Sequence, residues 1–413
     1  MPKDKTGIER KNQLDVLNKL MNAKEIIILT GVRRCGKSTL IYQMINRLIE
    51  EGINPKSILY FNFDEILEFK DYRALDIVYN TFLEINNPKE RKYVLFDEIQ
   101  AIEKWEQWIK KSYDLHGREI KFILTGSNNT MLHDNLSKLL TGRIFTREIY
   151  PLSFREFLEF NEILPYGQLQ KNEIKHHLAR YMNFGGFPET VLEENETIIN
   201  KRLEEYYNSI LLRDIIQPNS IREAAKLMEL AKYLMTNTTS TLSYNNIAKS
   251  TGLNITSIKE YISIMEHAYL LFQLNFFSYS LKESIMIQKP RKIHAIDTGL
   301  RNAVSFRFSK DEGKLAENLV FLELRRRLAE VYYWKNKGEI DFVIKNKDSS
   351  LTAINVSFTN RIDERELKSL NEFKSSFKNT KEIILVTEDI EKTEDSIKFV
   401  PLWKWLLNIN SAN

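Results

Sequence analysis

The first 150 residues alternate short apolar runs with amphipathic stretches. Most of the apolar runs are continuous, as expected for strands that are buried on both faces of a parallel sheet. The stretches between them, such as Lys37–Glu50 and Trp105–Leu115, repeat their apolar residues with a helical period. This layout predicts an α/β domain with a parallel sheet over residues 1–150. The predicted strands are Glu25–Leu29, Ile58–Asn62, Tyr93–Phe96, Phe122–Thr125 and Phe145–Ile149.

The chain after residue 150 predicts three further parts. Residues 151–225 have helical periodicity and form a predicted helical lid, interrupted by the turn residues Gly185–Pro188. Residues 226–290 contain a compact helix–turn–helix pattern, and residues 291–413 predict a second α/β domain. Its elements are predicted at Gly313–Leu328, Val331–Trp334, Glu339–Ile344, Ala353–Phe358, Glu364–Phe377 and Glu382–Thr387.

A phosphate-binding loop follows the first predicted strand and opens a predicted helix. Residues Gly31–Ser38 match the P-loop motif G-x-x-x-x-G-K-[ST] in full, and the strand-to-helix context is the one that this motif requires. Its backbone amides would hold the phosphates of ATP, Lys37 would neutralise them, and the Ser38 hydroxyl would bind Mg²⁺. The predicted nucleotide contacts are Gly31, Arg33, Arg34, Cys35, Gly36, Lys37, Ser38 and Thr39.

Two carboxylates end the third predicted strand, at Asp97 and Glu98. Beside a full P-loop, Asp97 is predicted to help hold Mg²⁺ and Glu98 to act as the general base for the attacking water. The alternative is a capping pair at a strand end.

Two further polar positions could contribute to hydrolysis. Asn128, with Ser127 as second choice, could sense the γ-phosphate, although a helix N-cap is nearly as good an explanation. Arg143 could act as an arginine finger, within the chain or from a neighbouring copy. A surface arginine after a helix that ends at Gly142 explains Arg143 equally well.

Composition adds little about partners. The 60 basic and 56 acidic residues leave a formal charge of +4, which is weak evidence for nucleic-acid binding unless basic residues cluster. A single cysteine, Cys35, excludes an internal disulfide and a multi-cysteine metal site, and it fits a cytoplasmic protein. No signal peptide and no long apolar run is seen, so no membrane span is expected.

The order of these motifs resembles the prokaryotic AAA-type ATPases, common in archaea, that lie near the STAND-like signalling clade. The strand at Ile58–Asn62 between the P-loop and Asp97, and Glu98 after Asp97, resemble the additional-strand ATPases. The resemblance implies ATP binding and nucleotide-dependent conformational change, and it names no substrate. Its matching segments are Thr30–Ser38, Leu95–Gln100, Leu124–Asn128, Thr141–Arg143, Pro151–Phe157, Gly185–Pro188, Leu212–Ile215, Asp297–Leu300 and Gly338–Phe342.

The helix–turn–helix pattern at Leu242–Phe277 is typical of a winged helix. Its second helix would direct Ile255, Ile258, Ile262 and Met265 inward and an outer polar face toward DNA. DNA binding and a purely structural or protein-contact role remain equally open, since this face has one lysine opposed by Glu260. The predicted DNA contacts are Thr256, Ser257, Lys259, Tyr261, Arg291 and Lys292, with Lys282 and Lys289 nearby.

The C-terminal domain resembles a PD-(D/E)xK nuclease that has lost part of its chemistry. Glu317 and Asp341 match metal-binding positions, but Asn355 stands at the catalytic glutamate position and Ser357 at the lysine position. The domain is therefore predicted to be a degenerate nuclease fold that could still bind DNA. Basic residues that could hold phosphates are Lys335, Lys337, Lys345, Arg325, Arg326 and Arg327, with solvated charge as the alternative.

Three hypotheses of function follow. The first is an Mg²⁺-dependent ATPase that couples ATP to binding or remodelling of DNA, including branched DNA. The second is an ATP-driven signalling switch or scaffold that binds a protein partner. The third and weakest is an ATP-dependent nuclease. An oligomer is compatible with each of them.

Overall fold

The computed structural model describes residues 6–65, 70–127, 140–163, 171–279, 290–305 and 311–408. The chain forms two compact units. Unit one is Met1–Tyr150 with His267–Tyr269, and unit two is Pro151–Glu266 with Leu270–Asn413. Each unit is described separately below.

Unit one is a parallel five-stranded sheet with helices between the strands. The sheet order is β2-β3-β4-β1-β5, and all its pairings are parallel. The predicted α/β class with a parallel sheet is therefore confirmed. In chain order the elements are α1 (Lys11–Met21), β1 (Ile26–Thr30), α2 (Lys37–Glu50), β2 (Ile58–Asn62), α3 (Arg73–Asn86), β3 (Lys92–Asp97), α4 (Trp105–His116), β4 (Ile120–Gly126) and β5 (Ile144–Glu148).

The strand inserted between the P-loop strand and the acidic strand is β4. The strand that lies between them in the chain, β2, is at the edge of the sheet and pairs only with β3 among the described residues. The additional-strand arrangement is thus present, but a different strand from the one expected provides it. Chain order could not distinguish the two, because crossover connections separate order along the chain from order in the sheet.

The core of unit one explains the continuous apolar runs of its strands. Every residue of β1 and β4 is buried, because helices cover both faces of the sheet. Trp108 of α4 packs edge-on against Phe122, with 6.2 Å between ring centroids, and also contacts Phe96. This packing holds β3 and β4 in place under the ends that carry the polar residues.

Unit two begins with helices. Its α5 has a complete capping box, in which Ser153 and Glu156 satisfy each other's backbone amides. The helical elements are α5 (Phe154–Phe160), α6 (Lys171–Phe184), α7 (Pro188–Val191), α8 (Glu196–Ser209), a π-helix (Ile210–Ile216), α9 (Ala224–Thr236), α10 (Tyr244–Thr251) and α11 (Ile255–His267). Two antiparallel strands follow, β6 (Leu271–Leu274) and β7 (Lys292–Ala295).

The remainder of unit two is a six-stranded sheet with helices. Its order is β12-β13-β11-β10-β9-β8, with β10, β11 and β13 parallel and the other pairings antiparallel. The second α/β sheet predicted for this part of the chain is therefore present. The elements are α12 (Thr298–Val304), α13 (Glu312–Arg326), β8 (Glu330–Lys335), β9 (Glu339–Lys345), β10 (Leu351–Ser357), α14 (Glu364–Ser376), β11 (Thr380–Thr387), β12 (Lys392–Glu394), β13 (Ile397–Pro401) and α15 (Leu402–Leu407).

Two motifs that lie far apart in the chain meet in unit two. The buried Asp297 carboxylate caps α12 through Leu300 N (2.8 Å), and its second oxygen accepts from Gly186 N (2.8 Å). Gly185 has a φ of +72°, and a Cβ there would lie 2.0 Å from Asp297 Oδ1, so the close approach needs glycine. The contact between Asp297 and the Gly185–Gly186 turn therefore gives a structural reason for the presence of both motifs.

Candidate functional site

The candidate ATP site lies at the carboxyl ends of β1, β3 and β4. The P-loop follows β1, the Asp97–Glu98 pair ends β3, and Thr125 and Ser127 end β4. Because β4 lies between β1 and β3, these ends meet at one edge of the sheet, where open α/β sheets bind ligands. The residues predicted from separate motifs are thereby brought together.

The P-loop backbone depends on two glycines. A Cβ on Gly31 would lie 2.1 Å from the Ile149 carbonyl oxygen, so only glycine fits there. Gly36 has a φ of 98° and precedes α2, whose amino end points at the loop. A helix amino end next to exposed amides is suited to bind an anion such as phosphate.

Lys37 is buried, and its ammonium is held by backbone carbonyls. Its Nζ donates to Gly31 O (3.0 Å) and Val32 O (3.1 Å), and it lies 4.0 Å from Glu98 Oε1. Carbonyl partners are neutral, so the positive charge remains available for an anionic ligand.

The other predicted nucleotide contacts differ in exposure. Arg33 ion-pairs with Asp64 (3.6 Å), while Arg34 is exposed with a φ of 70°. Cys35 is buried, and burial raises the pKa of its thiol, so it is not an activated nucleophile. Ser38 and Thr39, in the first turn of α2, are half-buried.

Asp97 is fully buried and accepts hydrogen bonds from hydroxyl groups. Thr125 donates to Oδ1 and Tyr60 donates to Oδ2 (3.3 Å). Burial raises the pKa of Asp97, although the hydroxyls of Thr125 and Ser38 oppose that shift. Ser38 is therefore near enough to Asp97 to affect its pKa, and a hydroxyl with a carboxylate is a donor set that suits Mg²⁺.

Glu98 follows β3 in a left-handed conformation, with a φ of 51°. Its amide donates to Thr125 Oγ1 (3.0 Å), and Gln100 Nε2 donates to its carboxylate and to Ser127 Oγ (3.2 Å). A non-glycine residue with positive φ is uncommon and is retained where surrounding contacts determine the backbone. The contacts from Thr125 and Gln100 direct Glu98 into the space beside Lys37.

Sequence reasoning missed several residues that build this site. Arg10 Nη1 donates to Cys35 O (3.0 Å) and Tyr150 O (3.1 Å) and so braces the P-loop. Thr125 joins Asp97 to Glu98, and Gln100 joins Glu98 to Ser127. Gln100 lies in the recognised segment Leu95–Gln100 and Thr125 in the recognised segment Leu124–Asn128, so their polar side chains were the available signal. Arg10 is 25 residues from Cys35 and carried no signal.

Asn128 lies outside the described residues. Arg143 lies at the amino end of β5, and the register pairs Ile144 with Ile26, whereas the P-loop follows Thr30 at the opposite end of β1. Four residues of strand correspond to about 13 Å, and Arg143 also ion-pairs with Asp114 (2.7 Å). An arginine finger that acts on its own P-loop is therefore wrong for Arg143, and action on a neighbouring copy stays a prediction.

The predicted DNA-binding residues are only partly exposed. Thr256 and Lys259 are exposed on α11, Ser257 and Arg291 are half-buried, and Lys259 Nζ lies 5.3 Å from the Tyr244 ring centroid. Tyr261 is only 9% exposed, so its predicted outward position is wrong. It joins Ile258, Ile262 and Met265 on the inner face, while Ile255 is exposed. Lys282 and Lys289 lie outside the described residues.

Lys292 is also wrong as a surface phosphate contact, because it is buried. Its Nζ lies 3.0 Å from Glu317 Oε1, 2.7 Å from Glu339 Oε1 and 3.1 Å from Asp341 Oδ1. We call these four residues the Lys292 cluster. Burial alone would lower the pKa of Lys292, but the three carboxylates hold it well above its usual value. Burial, with Asp341, raises the pKa of Glu317 to about 8.

Asn355, predicted from the sequence to stand at a nuclease glutamate position, lies in the same region. Its Oδ1 accepts from Asp341 N (3.1 Å), and its Nδ2 donates to Glu366 Oε2 (2.7 Å) and Glu339 O (3.2 Å). Ser357, predicted to stand at the nuclease lysine position, ends β10 and is half-buried. Glu339 and Lys292 were not recognised as members of this cluster from the sequence.

Most of the basic residues expected to hold phosphates have partners within unit two. Arg326 donates to the carbonyls of Pro151 and Leu152, and Arg327 donates to Glu323 and lies 4.5 Å over the Trp405 ring. The expected phosphate-binding role is therefore wrong for Arg326, whose side chain is largely buried, whereas for the exposed Arg327 it stays a prediction. Arg325 lies over Phe272 at 5.1 Å, Lys335 pairs with Glu339 and Lys345 with Glu330, while Lys337 is exposed.

Among the helices that the structure describes, none is long and apolar enough to cross a membrane.

Three family models match consecutive parts of the chain. Residues 23–158 match the AAA domain. Residues 175–311 and 312–405 match two domains of unknown function, DUF8612 and DUF4143. The AAA match contains the P-loop, Asp97 and Glu98.

Two relatives align with nearly the whole chain. An uncharacterized protein of Methanocaldococcus jannaschii is 32% identical over 97% of this chain and 93% of its own length. A protein of Haemophilus influenzae is 29% identical over 98% of this chain and 99% of its own length.

Similar solved structures include a RuvB variant of Thermotoga maritima, 13% identical, with a TM-score of 0.34, covering 64% of this chain and 90% of RuvB. AMPPCP-bound DnaA from Aquifex aeolicus is 15% identical, with a TM-score of 0.30, covering 63% of this chain and 89% of DnaA. With the AAA-domain match and the archaeal relative together, the chain belongs to a family of AAA-type P-loop ATPases.

Proposed function

We propose that this protein is an Mg²⁺-dependent ATPase that couples ATP hydrolysis to binding or remodelling of DNA. The observation that carries the ATPase half is the hydrogen-bond network from Asp97 through Thr125 to Glu98, whose carboxylate lies 4.0 Å from the P-loop lysine, Lys37. It supports a metal-binding carboxylate and a general base held in fixed positions at one sheet edge.

Each residue has a distinct proposed role. The P-loop amides bind the phosphates, and Lys37 exchanges its carbonyl partners for phosphate oxygens. Ser38 and Asp97 would hold Mg²⁺, which supplies neutralisation of charge on the phosphate oxygens. Glu98 accepts a proton from the attacking water, and Gln100 and Thr125 hold it in position.

Phosphate release by the full chain tests this half. Glu98→Gln keeps the shape of the side chain but removes the base, so we expect at least about a hundredfold loss of turnover. ATP affinity should stay close to that of the wild-type protein. The matched control is Glu90→Gln, at an exposed glutamate of the same unit, which should change neither quantity. Unchanged turnover in Glu98→Gln would remove Glu98 from the mechanism.

The DNA half is supported by the order of elements in unit two. Helices α9, α10 and α11 are followed by the antiparallel strands β6 and β7, which is the order of a winged helix. Asn254 caps α11 by accepting from Ser257 N (2.8 Å), and Thr256 and Lys259 are exposed on that helix. We propose this helix as the DNA-contacting element.

DNA titration at low salt tests that assignment. Lys259→Ala should weaken binding and reduce the salt slope by about one unit, because one phosphate contact is lost. Lys249→Ala removes the same charge from the preceding helix and is the matched control. Absence of DNA binding at low salt would leave the ATPase half standing and exclude the DNA half.

The alternative is an ATP-driven switch that binds a protein partner through unit two. The burial of Tyr261 and Lys292 favours it, because two of the six predicted DNA contacts are not on the surface. Stimulation of phosphate release by a purified protein partner, with none by single-stranded, duplex or branched DNA, would support this alternative.

A further inference from the structure

The Lys292 cluster lies on three elements of unit two. Lys292 begins β7, Glu317 is on α13, and Glu339 and Asp341 are on β9. The Lys292 side chain is only 3% exposed. Its ammonium has three N–H donors, and three carboxylate oxygens lie within 2.7–3.1 Å of Nζ. The donors and the acceptors therefore match in number.

The remaining oxygen atoms of two of these carboxylates are also engaged. Asp341 Oδ2 accepts from Val356 N (2.9 Å), and Glu339 Oε2 pairs with Lys335 (2.9 Å). Asn355, a neutral amide, braces the Asp341 backbone where a nuclease would place a carboxylate. The arrangement is a satisfied polar network, not a set of free ligands.

A divalent ion does not fit this donor set. Mg²⁺ requires about six oxygen ligands at roughly 2.0–2.1 Å in octahedral geometry. The oxygens that would supply them are already gathered around Nζ, and an ion between them would lie against a buried positive charge. Within the described part of the chain, no group of three or more acidic, histidine or cysteine side chains could hold a metal.

We propose that the Lys292 ammonium occupies the cation position of this nuclease-like cluster. The cluster is a metal-free ion-pair network that joins β7 to α13 and β9. Metal-dependent cleavage of phosphodiesters is then excluded from this domain, and Lys292 is the residue that excludes the ion. This assignment does not depend on the proposed ATPase or DNA-binding function.

The experiment is a titration of Mn²⁺ into the nucleotide-free full chain, with free Mn²⁺ measured by electron paramagnetic resonance. Wild type and Glu317→Gln should give the same isotherm, because the cluster binds no ion in either. Lys292→Ala should gain one Mn²⁺ per chain that wild type does not bind. That gain should disappear in the double variant Lys292→Ala with Glu317→Gln. Any weak binding at the P-loop is common to all four proteins and cancels.

Two results would overturn the proposal. One is a Mn²⁺ bound by wild type and lost in Glu317→Gln, which would make the cluster a working metal site with Lys292 as an added catalytic group. The other is a folded Lys292→Ala protein that gains no ion. If Lys292→Ala does not fold, the comparison of wild type with Glu317→Gln decides by itself.

Discussion

Two buried lysines, Lys37 in unit one and Lys292 in unit two, have different kinds of partner. The Lys37 ammonium donates to two neutral backbone carbonyls at 3.0 and 3.1 Å and stays 4.0 Å from Glu98. The Lys292 ammonium is surrounded by three carboxylates at 2.7–3.1 Å. Similar residue types therefore produce two different electrostatic environments.

The difference separates a ligand site from a structural network. In unit one, the ion pair of Lys37 with Glu98 is long, at 4.0 Å, and the nearby Asp97 is held by hydroxyl groups that a metal can share. In unit two, the ammonium of Lys292 is paired at short distance with three carboxylates inside the same unit. A buried lysine beside acidic residues thus does not by itself define a catalytic site, and the distances between the charged atoms must be considered as well.

The largest expected effect is the loss of phosphate release when Lys37 is replaced. Lys37→Met keeps the aliphatic stem but removes the charge that would neutralise the phosphates, so we expect at least about a thousandfold loss of phosphate release. Lys24→Met, at an exposed position of the same unit, is the control. Comparable turnover in the two variants would show that the P-loop lysine has no role in hydrolysis.

The second largest expected effect is the loss of stability of unit two when Lys292 is replaced. Lys292→Met removes the cation shared by three partly buried carboxylates and should cost up to about 3–5 kcal/mol. Hydrogen exchange followed by mass spectrometry should locate the increased opening in β7 and α13. Lys335→Met is a suitable control, since its half-exposed ion pair with Glu339 should be worth about 1 kcal/mol or less. Equal protection in both variants would contradict the network.

A smaller loss of stability is expected when Asp297 is replaced. Asparagine can accept only one of the two backbone hydrogen bonds, from Gly186 or Leu300, so Asp297→Asn should destabilise unit two by about 1–3 kcal/mol. Chemical denaturation of both proteins measures the difference. A fully stable variant would show that the contact between the two motifs is not needed.

The cost of Asp297→Asn should depend on pH. Burial raises the pKa of Asp297 from 3.8 to about 6, so the folded state binds more protons than the unfolded state between these values. The contribution of Asp297 to stability is therefore largest below about pH 4 and falls as pH rises to about 6. Asparagine lacks this dependence, so the difference between variant and wild type should be larger at pH 4.5 than at pH 7.5. The reverse order would contradict the assigned direction.

The smallest expected effect is at Thr125, which positions Asp97 and Glu98. Thr125→Val keeps the shape but removes both hydrogen bonds, and about tenfold slower phosphate release is expected. The Mg²⁺ concentration for half-maximal activity should rise as well, which a purely structural role would not produce. Thr146→Val, at an exposed threonine of β5, is the control.

The sequence predicted much of the fold because burial on both faces of a strand leaves a continuous apolar run. Strand Ile58–Asn62 and helix Lys37–Glu50 have the predicted bounds. The position of β4 between β1 and β3 could not be predicted, because sheet order is decided by packing and not by local pattern. Tyr261 could have been placed correctly, since residues 258, 261, 262 and 265 follow the spacing of one helical face.

The P-loop and the Lys292 cluster also differ in how far the sequence could predict them. The P-loop is contiguous in the chain, so its chemistry is visible from spacing alone. Lys292 is separated from Glu317 by 25 residues and from Asp341 by 49, and it stands beside Arg291 in what reads as a basic surface segment. Only the pairing of β7 within unit two shows that its side chain is buried.

The most direct test of the contrast is the number of Mn²⁺ ions bound per chain in the presence of a non-hydrolysable ATP analogue. The account predicts one ion, lost in Asp97→Asn and retained in Glu317→Gln, because the ion enters with the nucleotide at unit one. Two ions in wild type, with one of them lost in Glu317→Gln, would contradict it.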